Sequence, residues 1–99
     1  MEITKTQVGG TDVLVLKGRL DTVTAPKLEE ALTEVMASAN KIKLDFAGVD
    51  YVSSAGLRVL LKGQKNAQAA EKTMTLKNVS ADVMEVFDIT GFSGVLTIT

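Results

Sequence analysis

Apolar residues in this chain recur first at every second position, then at every third or fourth, then at every second again, and this switching confines the fold to a sheet interleaved with helices. EITKTQV and DVLVLKG flank GGT, two β-rich runs around a glycine turn, which predicts an antiparallel hairpin. In LDTVTAPKLEEALTEVMASAN the period changes: Leu28, Leu32, Val35 and Met36 fall at helical spacing, with Glu29, Glu30 and Glu34 on other faces. Thr24 fits the N-cap of that helix, Pro26 falls in its first turn, where a missing N–H costs nothing, and Val23 is placed to staple onto Leu28. KIKLDFAGV then alternates strictly, Ile42, Leu44 and Phe46 against Lys41, Lys43 and Asp45, and TMTLKNV repeats the alternation with Met74 and Leu76. Between these two strands, SAGLRVLLKGQKNAQAAEK reads as a second helix with Leu57, Leu60 and Leu61 inward, its middle weakened at Gly63 by about 1 kcal/mol relative to alanine. SADVMEVFDITGF predicts a short third helix with Ser80 as N-cap, Val83, Val86 and Phe87 as its apolar side and Gly91 as its stop. GVLTIT is expected to close the chain as a fifth strand.

The order β-β-α-β-α-β-α-β joins strands two to five through helical crossovers, which connect parallel strands with a right-handed turn. The expectation is one α/β domain spanning residues 1–99. Its sheet is mixed, with about five strands: an N-terminal antiparallel hairpin, then β-α-β crossovers. A parallel sheet covered on both faces needs strands that are apolar throughout. Strands three and four alternate instead, so the helices are expected mainly on one face, with the other left partly wet. The open face and the hairpin edge are the two places where a second copy of the chain would sit in a weak homodimer.

Composition removes whole classes of function. The chain holds neither cysteine nor histidine, which excludes disulfides, thiolate nucleophiles, Ser-His or Cys-His pairs and imidazole metal ligands. No catalytic residue, metal ligand or cofactor is therefore expected. Serine chemistry would further need a G-x-S-x-G elbow or a buried lysine, and neither is suggested. With 11 basic and 12 acidic residues and no dense basic run, neither a nucleic-acid nor a membrane-surface partner is indicated. MEITKTQVGG lacks a secretory pattern and no apolar run nears the roughly 20 residues of a spanning helix, so a cytoplasmic location is the working expectation.

DYVSSAGLRVLL places two serines where a strand passes into a helix, the kind of corner at which open α/β sheets gather ligands. The first N–H groups of that helix are unsatisfied and carry about half a positive charge. A serine hydroxyl caps them; a phosphate would do so more strongly. Residue types alone leave two readings of Ser53 and Ser54: an ordinary cap contributing about 1 kcal/mol, or a phosphorylation or anion site. Gly56 likewise makes room for packing or admits a group close to the backbone. Arg58 follows Ser54 by four residues, either as a neutralising partner for a phosphate or as a solvated surface charge.

Together with KIKLDFAGV before it and VMEVFDITGF after it, DYVSSAGLRVLL resembles the STAS domain of bacterial anti-sigma factor antagonists, over nearly the whole chain. That family carries a corner of the form Asp-Ser-Ser/Thr-Gly-Leu. Laid on it, Ser54 takes the position phosphorylated by an anti-sigma factor with serine kinase activity, Gly56 and Leu57 match Gly-Leu, Ala55 replaces the second hydroxyl and Ser53 replaces the Asp. GRLDTVTAPKL is similar to the family's G-x-L-D-x-x-T-A corner, supplying Asp21 and Thr24, and FDITGF to its F-D-x-S/T-G helix end. The resemblance implies an anti-sigma factor antagonist, not an enzyme, that binds its kinase partner to release a sigma factor and is switched off by phosphorylation of Ser54. Asp21, Thr24, Ser53, Ser54, Gly56, Leu57 and Arg58 are the expected partner-binding set. The competing expectations are a constitutive STAS interaction module without phosphorylation and a small nucleotide- or anion-binding domain.

Overall fold

In the computed structural model of residues 1–99, β1 (Glu2–Val8) and β2 (Thr11–Leu20) form the hairpin. They are followed by α1 (Ala25–Met36), β3 (Lys41–Val52), α2 (Ser54–Ala69), β4 (Thr73–Lys77) and α3 (Ala81–Thr90). The hairpin turn is Gly9-Gly10 with φ of 55° and 82°, the left-handed pair that a two-residue type I′ turn demands and that a Cβ would resist. Strand order in the sheet is β1-β2-β3-β4, antiparallel at the first pair and parallel at the other two.

Alternation explains how the layers form. Ile42, Leu44 and Phe46 of β3, Leu14 and Leu16 of β2 and Met74 and Leu76 of β4 are buried beneath the helices, while Lys41, Lys43, Val15, Lys17 and Thr73 face solvent on the other side. The sheet thus has one dry and one largely wet face. α1 contributes Leu28, Leu32 and Val35 to the core, and α2 contributes Leu57, Val59, Leu60 and Ala67. Phe46 and Phe87 meet edge to face, ring centroids 6.3 Å apart, and this contact pins α3 onto β3. Gly63 lies where α2 crosses close to its neighbours: a Cβ there would stand 3.1 Å from Leu32 Cδ1 and 3.2 Å from Met74 Sδ.

The sheet has four strands rather than five. After Gly91 closes α3 in the left-handed conformation, Phe92–Gly94 form a 3₁₀ turn, and the N–H groups of Val95 and Leu96 both bond back to the Phe92 carbonyl. The first half of GVLTIT is therefore held in a turn. Only the end of the chain reaches β4, as a single parallel bridge from Ile98 to Leu76 with Leu76 N–H donating to Thr97 C=O and Thr99 N–H to Leu76 C=O.

β3 also runs further than its alternation predicts, to Val52, because it carries two bulges against β2. Val15 pairs with Asp45 but Lys17 with Gly48, and Gly18 pairs with Val49 but Arg19 with Tyr51, so β3 gains one residue at each step. At the first bulge the β2 backbone comes so close that a Cβ on Gly48 would stand 2.9 Å from the Leu16 carbonyl oxygen. The second turns Tyr51 outward between buried Val49 and Val52.

Candidate functional site

Parallel pairing of β2 and β3 sets their C-terminal ends, and the helices they feed, side by side. Leu20 pairs with Val52, and the Ser53 N–H donates to the Leu20 carbonyl at 2.8 Å, which ties the two strand-to-helix corners together.

At the first corner the turn is built by Asp21. Its Oδ1 accepts from the N–H groups of Val23 and Thr24, both at 3.0 Å, while its own N–H donates to Thr24 Oγ1 at 2.9 Å. The Thr24 hydroxyl in turn donates to the Arg19 carbonyl at 2.6 Å. Thr24 does occupy the N-cap of α1, but its side chain caps nothing in the helix. The expected staple from Val23 to Leu28 is not formed either: Val23 is 85% exposed, because the Asp21 turn directs it into solvent. The Thr24 N–H above all, with help from the Val23 N–H and nearby Arg19, holds the Asp21 carboxyl below the usual carboxylate range, against an opposing effect of burial that is second in size to the Thr24 N–H. Asp21 is charged at neutral pH.

At the second corner the two serines divide their roles. Ser53 is extended (φ −91°, ψ 173°), the geometry of an N-cap, and its Oγ accepts from the Gly56 N–H at 3.3 Å. Ser54 is the first residue of α2 and is exposed. No acidic side chain occupies the first turn of α2, so the positive end of its dipole lies uncompensated beside the Ser54 hydroxyl. Gly56 is buried, and a Cβ there would stand 2.6 Å from Leu20 Cγ and 3.0 Å from the Leu20 carbonyl oxygen; the group that approaches its backbone is this chain's own leucine. Leu57 is 7% exposed and belongs to the core. These two expected partner contacts act from beneath the corner, holding α2 against β2, because the helix must dock there to bury Leu57. Arg58 points outward and lines a groove of about 520 Å³ between α1 and α2, together with Thr22, Pro26, Glu29, Ala55 and Lys62.

Of the expected residues, Asp21, Thr24, Ser53, Ser54 and Arg58 thus reach the surface of two adjoining corners. Sequence reasoning missed Arg19 and Tyr51, which pair across β2 and β3, the Arg19 guanidinium lying 4.1 Å from the centroid of the Tyr51 ring. With Val23 they add a partly apolar margin beside Asp21 and Ser54. A bulge carries no clear mark in the alternation, which is why Tyr51 could not be assigned to a face.

Comparison with known proteins gives one consistent result. A family model described as "Mlab, STAS domain" matches residues 3–98. The BtrV protein of Bordetella bronchiseptica, which bears the name of an anti-sigma factor antagonist, is 31% identical over 99 residues, covering 99% of this chain and 85% of its own. The anti-sigma-B factor antagonist of Listeria monocytogenes is 29% identical, covering 99% and 86%. Among solved structures, an anti-sigma factor antagonist from Mycobacterium paratuberculosis superposes with a TM-score of 0.88 at 23% identity, over 98% of this chain and 83% of its own. The unphosphorylated anti-sigma factor antagonist SpoIIAA superposes with a TM-score of 0.80 at 21% identity, over 99% and 88%. The four-stranded sheet and three helices match that fold.

Proposed function

Because the chain belongs to the STAS-domain family, we propose that it is an anti-sigma factor antagonist: unphosphorylated, it binds an anti-sigma factor through the corners at Asp21 and Ser54 and so frees a sigma factor, and phosphorylation of Ser54 by that partner, acting as a serine kinase, ends the binding. The observation that carries this reading is the division of labour at α2. Ser53 caps the helix, so the exposed Ser54 hydroxyl is available for modification without loss of the cap. Ser53 stands where the family motif has Asp. Both rank among the strongest N-cap residues, so the substitution keeps the corner's shape and removes only a charge. Relatives named anti-sigma factor antagonists support the assignment, as does a solved phosphorylated form of SpoIIAA that shares this fold with a TM-score of 0.75.

Charge suffices for the switch. A phosphate adds about −1.5 to −2 charges at neutral pH. Against one partner carboxylate about 5 Å away, each added charge costs on the order of 1 kcal/mol in water and ~3 kcal/mol at an effective dielectric of 20. A tenfold loss of affinity takes about 1.4 kcal/mol. Within its own chain the phosphate would be welcome, at the positive end of the α2 dipole. The domain therefore keeps its fold while its surface gains negative charge, and no catalytic step is required of it. A cytoplasmic setting fits a regulator of sigma factors, and no helix is long and apolar enough to cross a membrane.

The test is phosphosite mapping by mass spectrometry on protein from its native cells, with Ser54→Ala alongside. Phosphate on Ser54 that vanishes in the variant supports the proposal. A Ser54 that stays unmodified through growth and stress, with partner binding unchanged, would leave a constitutive interaction module.

A further inference from the structure

The two edges of the sheet are not equivalent. β4 is partly covered, since Leu76 exchanges hydrogen bonds with Thr97 and Thr99 of the C-terminal stretch. Nothing covers β1. Its seven residues, Glu2–Val8, include four that are β-branched, Ile3, Thr4, Thr6 and Val8, and no proline, so the edge is both long and well suited to strand pairing. From the geometry of this edge we infer that it pairs with the same edge of a second copy of the chain, in antiparallel register about Thr4, joining two four-stranded sheets into one of eight.

The register follows from the hydrogen-bond alternation of the hairpin. A two-residue type I′ turn closes on a hydrogen-bonded pair, here Val8 and Thr11. Counting back, Thr6, Thr4 and Glu2 direct their N–H and C=O groups toward β2, whereas Ile3, Lys5 and Gln7 direct theirs outward. A two-fold axis perpendicular to the sheet at Thr4 brings Ile3 opposite Lys5 of the second copy and Lys5 opposite its Ile3. Both are outward-bonding positions, so their free donors and acceptors meet. Thr4 faces its twin as a non-hydrogen-bonded pair, a favourable threonine contact, and Glu2 faces Thr6.

Neighbouring registers are poorer. An axis at Lys5 sets two lysines directly opposite, and an axis at Ile3 shortens the overlap to Met1–Lys5. An edge lysine is often a guard against such pairing, but Lys5 turns under the sheet, Nζ 3.5 Å from Asp12 Oδ2, and does not project beyond the edge. Under the same edge lies a groove of about 320 Å³, where Lys5 and Lys27 stand with Glu30 and Glu34 around Ile3 and Leu14, so its charges balance within one chain. The shared surface is small, so the dimer is weak and concentration-dependent.

A chain without cysteine gives a clean test. In the proposed register the two Thr4 Cα atoms stand about 4.5 Å apart, within the span of a disulfide. The two Thr6 residues lie four positions, about 13 Å, out of line along the strand. Under mild oxidation Thr4→Cys is expected to cross-link about tenfold or more faster than Thr6→Cys, both sites being exposed. Sedimentation from about 10 μM to 1 mM, a span suited to weak interfaces, should show Thr4→Lys and Thr4→Glu each monomeric and a mixture of the two dimeric. Equal cross-linking of the two cysteine variants, or self-association undisturbed by Thr4→Lys, would overturn the inference.

Discussion

Replacing Gly56 by alanine tests whether the serine corner is held from beneath by close packing. On helix propensity alone, alanine in place of glycine within a helix gains about 1 kcal/mol. The structure opposes that gain. The new Cβ would stand 2.6 Å from Leu20 Cγ, 3.1 Å from Leu20 Cδ2 and 3.0 Å from the Leu20 carbonyl oxygen, and Leu20 is fully buried. That carbonyl also receives the Ser53 N–H, so neither partner can retreat without opening the junction between β2 and β3. Overpacking of this kind costs about 1–3 kcal/mol, and contact with a bonded backbone carbonyl places it at the upper end. The expected net loss is about 1–2 kcal/mol, or a fall of ~4–16 °C in Tm for a domain of this size. Gly63→Ala is the internal comparison. It gains the same propensity, and its Cβ would meet only the flexible ends of Leu32 and Met74, at 3.1 and 3.2 Å, so its Tm is expected within about one kcal/mol equivalent of wild type. Calorimetry of both variants decides the matter: a Gly56→Ala protein as stable as Gly63→Ala would refute the close-packing account and return Gly56 to the ligand-admitting role.

Ser53→Ala should lose about 1 kcal/mol with its cap, a drop of ~4–8 °C, while Ser54→Ala stays close to wild type; equal losses in a urea titration would contradict the division of roles. Ser54→Asp should retain the wild-type Tm and bind the anti-sigma factor at least about tenfold more weakly in calorimetric titration, and undiminished binding would sink the electrostatic switch. The lowered carboxyls of Asp21, bonded by the Thr24 N–H, and Asp45, bonded by the Ala47 N–H, favour their charged forms in the folded chain. Their stabilisation is therefore present above the ordinary carboxylate range and lost as pH falls through the folded-state values, so urea midpoints should decline below about pH 4 and decline less in Asp21→Asn. Gln64 is buried with its Oε1 unpartnered and its Nε2 3.4 Å from Thr97 Oγ1, so Gln64→Leu should raise the urea midpoint by the equivalent of about 1 kcal/mol; a loss of that size would show that the carbonyl is satisfied in solution.

Local patterns determined much of this protein. The diglycine turn, the period changes, the cap Ser80 and the stop at Gly91 are each written in a few neighbouring residues, because turn conformation, alternation and capping depend on chemistry within about one helical turn or strand pair. The order of strands and helices, and the adjacency of the Asp21 and Ser54 corners, followed from that pattern together with the rule that crossovers join parallel neighbours. What the tertiary structure alone decided depended on distance through space. The first bulge in β3 falls where Gly48 lets it approach Leu16, and the second turns Tyr51 out to meet Arg19. Val23, apolar and correctly spaced for a staple, is left in solvent because Asp21 takes the turn's N–H groups for itself. GVLTIT has the residues of a strand, yet a 3₁₀ turn after α3 takes up its first half. Gly56 could be read from the sequence as an opening for a ligand or as a packing contact, and only the position of Leu20, thirty-six residues earlier in the chain, identified what fills the space.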